Sequence, residues 1–134
     1  MTRILVPEDE PSLIERLRQA LRDYQLVEAT TAEEALLFFI DVNYQIDLVV
    51  ADLTMPAISG PQVALCLRSN PPGLPVILTS GCPVSSWSDR DSADLRKLGG
   101  ISVAVLQKPF AGHQLLDVIC DLTGWTPAWK ERTA

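Results

Sequence analysis

Apolar residues along this chain fall into two kinds of pattern. Short unbroken runs recur at Ile4-Leu5-Val6, Leu48-Val49-Val50-Ala51, Val76-Ile77-Leu78 and Val103-Ala104-Val105-Leu106. They do not alternate with polar residues, which predicts strands buried on both faces, as in a parallel sheet. A weaker run, Gln25-Leu26-Val27 with Glu28 at its end, predicts a more exposed edge strand. Between the runs the period lengthens to that of a helix. Leu13, Ile14, Leu17, Ala20 and Leu21 share one face, opposite Glu15, Arg16, Arg18 and Arg22. A second helix opens at Thr31-Ala32-Glu33-Glu34, where hydroxyl and carboxylate can satisfy free backbone donors, and continues through Ala35, Leu36 and Phe39. A third is predicted from Pro61 to Ser69, stopped by Asn70-Pro71-Pro72, and a mostly polar fourth from Ser88 to Leu98, stopped by Gly99-Gly100. The fifth, from Gly112 to Leu122, carries Leu115, Ile119 and Leu122 on one face.

Strand followed by helix, five times over, requires right-handed crossovers and a parallel sheet covered on both faces. The expected fold is α/β: a flavodoxin-like, doubly wound (βα)5 sheet of five strands in the order 2-1-3-4-5. One domain over residues 1–122 is expected, with 123–134 as a C-terminal tail. In such sheets ligands sit beyond the carboxyl ends of the strands, where the strand order reverses.

The residues at those ends carry the chemistry. Pro7, Glu8, Asp9 and Glu10 follow the first run, and Asp52 follows the third strand's run. The fourth strand leads into Thr79-Ser80-Gly81 and the fifth into Gln107-Lys108-Pro109-Phe110. Convergence would place the carboxylates of Glu8, Asp9 and Asp52 beside one ammonium group. Their mutual repulsion would raise one pKa unless a cation is bound. Mg²⁺ suits that need, because it takes carboxylate oxygens and keeps positions for water and phosphate. A carboxylate facing phosphorus, with lysine and metal neutralising the phosphoryl oxygens, can act as nucleophile and form an acyl phosphate. Asp52 is the candidate nucleophile, Ser80 a donor to the new phosphoryl oxygen and Lys108 its cationic partner.

Composition narrows the alternatives. The formal charge of -6 comes without any basic block, which argues against a nucleic-acid surface. Neither a membrane span nor a secretory leader is expected, so a soluble, cytoplasmic protein is predicted. Cys66, Cys82 and Cys120 form no C-x-x-C pair. Cys66 and Cys120 read as small buried hydrophobes, and Cys82 as a loop residue. His113 reads as surface. Trp87, Trp125 and Trp129 read as buried against the domain, or alternatively as contacts for a partner.

These segments together resemble the receiver domains of response regulators over residues 2–122. The resemblance rests on Ile4 through Pro11, on Asp47 through Asp52 and on to Met55, Pro56 and Gly60, on Pro75 through Gly81, and on Lys108-Pro109-Phe110. It implies that Asp52 receives phosphate from a sensor histidine kinase or phosphotransfer protein. It also implies that Asp9, Asp52 and the Thr54 backbone carbonyl hold Mg²⁺, with Glu8 assisting through water. Ser80 would be the switch hydroxyl and Lys108 the phosphate-binding cation. Three departures stand out. Glu8 replaces the more usual Asp, Pro7 removes a backbone donor, and Val105 stands where the family usually has an aromatic ring that moves with the switch hydroxyl. Output is expected through the loop from Gly81 to Trp87 and the face of the fourth helix, fifth strand and fifth helix, by altered partner binding or a homodimer. The competing reading is a protein-binding module that keeps this fold and acts without phosphorylation. A flavin carrier is disfavoured, since Pro7-Glu8-Asp9-Glu10 supplies negative charge where a phosphate loop needs donors.

Overall fold

The computed structural model describes residues 2–42, 45–55, 58–69, 73–99 and 102–125. Five strands, β1 (Arg3–Pro7), β2 (Gln25–Ala29), β3 (Leu48–Asp52), β4 (Val76–Ser80) and β5 (Val103–Gln107), alternate with five helices. The helices are α1 (Pro11–Ala20), α2 (Ala32–Asp41), α3 (Gly60–Leu67), α4 (Asp89–Leu98) and α5 (Gly112–Thr123). All strand pairs are parallel and the order is β2-β1-β3-β4-β5. The order reverses between β1 and β3, which opens a crevice at their carboxyl ends.

The unbroken apolar runs divide residue by residue between two cores. Leu5, Val49, Ala51, Val76 and Leu78 face Ala35, Phe39, Val63, Leu67 and Leu98 of α2, α3 and α4. Ile4, Val6, Leu48, Val50 and Ile77 face Leu13, Leu17, Leu115 and Ile119 of α1 and α5. Every residue of β3 and β4 is buried. The run Val103–Leu106, which looks equally apolar, forms an edge strand instead and its side chains are half-buried. Position in the strand order, which a run of residues does not encode, decides that difference.

Helix ends follow local chemistry. Pro11 occupies the first turn of α1, where no amide donor is needed. The Thr31 hydroxyl accepts from the Glu34 amide, while the Glu34 carboxylate reaches back to the Thr30 amide at 2.8 Å. Ser59 and Ser88 cap α3 and α4 in the same way. Arg68, just past α3, donates to the carbonyls of Leu74, Leu98 and Ser102 at 2.9, 2.6 and 3.0 Å, tying the α4 carboxyl end to the loops around it. Cys66 is exposed and Cys120 half-buried, so neither is the buried hydrophobe that its neighbours suggest. His113 is exposed. Trp125, just past α5, packs on Tyr24 with ring centroids 5.8 Å apart. Pro56, the stop signals at 70–72 and Gly100, and the tail beyond 125 with Trp129, lie outside the described residues. No described helix is long and apolar enough to cross a membrane.

Candidate functional site

The carboxyl ends of β1, β3 and β5 bring the predicted acids and lysine together. Pro7 closes β1 opposite Ala29, and the next amide, that of Glu8, donates to the Ala29 carbonyl at 2.9 Å. This fixes the chain as it leaves the sheet, and the Glu8 side chain turns inward to be 2% exposed. One Glu8 oxygen accepts from the amides of Asp9 and Glu10, at 3.1 and 3.2 Å. Its other oxygen lies 3.5 Å from Lys108 Nζ. Asp9 is exposed.

Asp52 is the last residue of β3 and is buried. Its Oδ1 lies 3.0 Å from Lys108 Nζ, and the Thr54 amide also donates to its carboxylate. Gly60 explains how the backbone there stays compact: a Cβ at this position would collide with the Asp52 carbonyl oxygen. The start of α3 therefore lies directly against the peptide of Asp52, and the Gly60 amide donates to the Leu53 carbonyl at 3.0 Å.

Carboxylate oxygens of Glu8, Asp9 and Asp52 all lie within 4.8 Å of one another. An all-carboxylate donor set at this spacing suits a hard divalent cation such as Mg²⁺. Burial pushes Asp52 above the usual carboxylate range, against the pull of Lys108. Glu8 is raised by burial and then by the charge of Asp52, again opposed by Lys108. Burial alone would lower Lys108, but its hydrogen bond to Asp52 and the charges of Asp52 and Glu8 outweigh that and leave it above its ordinary value. The site thus holds more negative charge than one ammonium neutralises. A cleft of about 270 Å³, lined in part by Leu13, Arg16 and Phe110, opens beside Lys108.

Ser80 ends β4 next to these groups, and the Lys108 amide donates to its carbonyl at 2.7 Å. Its hydroxyl points elsewhere. It donates to the Cys82 carbonyl at 2.7 Å and accepts from the Cys82 amide and from the indole N–H of Trp87, each at 3.1 Å. Among the described residues no hydrogen bond joins the Ser80 hydroxyl to Asp52 or Lys108. The sequence pattern places Glu8, Asp9, Asp52, Ser80 and Lys108 around one crevice but assigns no role to Gly60 or to the indole of Trp87. The glycine carried a signal in its place at the start of a helix, directly after a capping serine. The tryptophan carried none, because its partner is reached through an irregular turn.

A parallel 2-1-3-4-5 sheet with an acidic crevice at its switch point defines the flavodoxin-like class. Within that class the response regulator receiver domain family matches residues 4–120. The chain is 34% identical over 109 residues to the response regulator GtcR of Aneurinibacillus migulanus, covering 80% of this chain and 41% of that protein. It is 29% identical over 121 residues to the sensor kinase CckA of Brucella abortus, covering 89% of this chain and 12% of that one. The chain thus spans less than half the length of these relatives. Among solved structures, the Vibrio cholerae chemotaxis protein CheY4 superposes with a TM-score of 0.77 at 21% identity, covering 91% of this chain and 98% of that one. The signal receiver domain of an HD domain-containing protein from Pseudomonas fluorescens Pf-5 gives 0.76 at 25% identity, covering 92% and 94%. This chain belongs to the response-regulator receiver domains.

Proposed function

We propose that this receiver domain accepts a phosphoryl group on Asp52 from a phosphohistidine of a sensor histidine kinase or phosphotransfer protein. The observation that carries the reading is the buried Asp52 carboxylate held 3.0 Å from Lys108 Nζ, with two further carboxylates beside it. An Asp52 oxygen attacks phosphorus, the bond from phosphorus to the donor nitrogen breaks, and the imidazole leaves as the acyl phosphate forms. Lys108 exchanges a carboxylate partner for a phosphoryl oxygen, and the Ser80 hydroxyl turns to donate to another. Glu8, Asp9, Asp52 and the Thr54 carbonyl would hold Mg²⁺, which when bound supplies positive charge to the phosphoryl oxygens. The family match and the kinase among the relatives support a kinase partner. A cytoplasmic location follows from that chemistry, and the α4-β5-α5 face is the proposed surface for a homodimer or output partner.

Incubation with Mg²⁺ and acetyl phosphate, followed by intact mass measurement, tests the reading. A gain of about 80 Da that vanishes in Asp52→Asn is expected. No gain in the wild-type protein would favour a binding module that acts without phosphorylation.

A further inference from the structure

The Ser80 hydroxyl is 1% exposed and fully committed: its single proton goes to the Cys82 carbonyl, and its lone pairs receive the Cys82 amide and the Trp87 indole N–H. Trp87 is itself buried, with its N–H shared between the Ser80 hydroxyl and the Cys82 carbonyl at 3.3 Å. It follows the single helical turn Val84–Ser86 and directly precedes Ser88, the cap of α4. Trp87 therefore links the end of β4 and the turn after it to the beginning of α4 through its indole N–H. Val105, on the neighbouring strand, packs into the same apolar cluster and has no ring to move.

From this geometry we infer that Trp87 is a positioning residue for Ser80: its indole N–H holds the hydroxyl away from Asp52 before phosphorylation, and its release carries the signal to the start of α4. The inference rests on the phosphoacceptor reading and extends it. For the hydroxyl to donate to a phosphoryl oxygen, its proton must leave the Cys82 carbonyl and the oxygen must rotate. The indole N–H then loses its nearer acceptor inside a buried cluster and keeps only the Cys82 carbonyl at 3.3 Å, which the hydroxyl has vacated, so the ring must shift to make a full hydrogen bond. The indole either follows the hydroxyl or turns onto the Cys82 carbonyl. Both outcomes displace residues 81–88 and the capping serine. The far end of α4 is held by Arg68 on the Leu98 carbonyl, so the displacement becomes a swing of the amino-terminal end.

The test uses ¹⁵N-labelled protein with Mg²⁺ and beryllofluoride as phosphoryl mimic, with ¹⁹F NMR reporting its binding. Trp87→Phe assigns the Trp87 indole resonance among the three tryptophans. That resonance is expected to move on binding, while that of Trp125, packed on Tyr24, stays, and Ser80→Ala is expected to shift it without the mimic. Trp87→Phe keeps a ring but lacks the N–H, and is expected to tighten beryllofluoride binding about fivefold, because Ser80 no longer has to be released. Lost packing alone would not tighten binding. Bound fluorine signal with an unmoved Trp87 resonance would overturn the inference and leave the phosphoacceptor reading intact. Absence of any bound fluorine signal would overturn both.

Discussion

Gly60 sits so close to Asp52 that a single methyl group on its Cα would overlap the Asp52 carbonyl oxygen. The first residue of α3 is thus fitted against the backbone of the proposed phosphoacceptor. Gly60→Ala is expected to destabilise the domain by about 1–3 kcal/mol, as overpacking generally does. It should also slow phosphorylation by acetyl phosphate, because the peptide that must shift is that of Asp52. Urea unfolding and the rate of mass gain check the two effects separately.

Lys108 is the only described cation within ion-pair distance of Asp52 and Glu8. Lys108→Ala leaves two buried carboxylates without their partner, so metal-free stability should fall by about 1–3 kcal/mol near neutral pH. Added Mg²⁺ should restore much of that loss but not phosphorylation-dependent changes in α4. Thermal melts with and without Mg²⁺, paired with hydrogen exchange over residues 81–98, measure both. Unaltered stability and response would make the lysine a surface charge only.

The raised pKa values of Glu8 and Asp52 give the metal-free domain a defined pH dependence. Their ordinary values are 4.5 and 3.8. Because the folded values lie above these, the native state binds more protons than the unfolded state in that window. The contribution of these two groups to stability is therefore fully present below the ordinary values and is lost as pH rises through the raised ones. Asp52→Asn removes one of the two groups and should flatten this decline and raise the metal-free melting temperature at neutral pH. Protons compete for the same oxygens, so stabilisation by Mg²⁺ should be larger at about pH 7.5 than at about pH 5. Melting curves across pH, with and without the ion, would show an opposite slope if the carboxylates were not burdened by burial.

Arg68 holds the Leu98 carbonyl at the carboxyl end of α4 and the Leu74 and Ser102 carbonyls just before β4 and β5. Arg68→Ala should cost about 2–3 kcal/mol, since charged donors to buried acceptors are lost together. Hydrogen exchange should rise first near Leu98. An effect confined to the start of α4 would contradict the swing of that helix about its carboxyl end.

Much of this architecture is legible in the sequence because it is local. The runs ending in Val6, Ala51 and Leu78 are buried on both faces, and the helical period around Leu13, Leu17 and Leu21 identifies the face of α1 that meets them. The acids and lysine were legible as a site because strand ends of a doubly wound sheet converge. What escaped depends on contacts between distant segments. Val103–Leu106 reads like a strand buried on both faces, yet at the edge of the sheet, where the predicted order puts it, its side chains are only half-buried, and Cys66 sits among apolar neighbours yet is exposed. Likewise, nothing in the order of residues 80–87 announces that the indole and the hydroxyl meet across the turn.

Chemical trapping of the phosphorylated residue tests the central claim most directly. After acetyl phosphate and Mg²⁺, reduction with borohydride converts an aspartyl phosphate to homoserine, which peptide mass spectrometry locates. Homoserine at position 52, absent from Asp52→Asn and from protein never given the phosphodonor, is the expected result. Homoserine elsewhere, or an unmodified Asp52 in protein that has gained the phosphoryl mass, would contradict it.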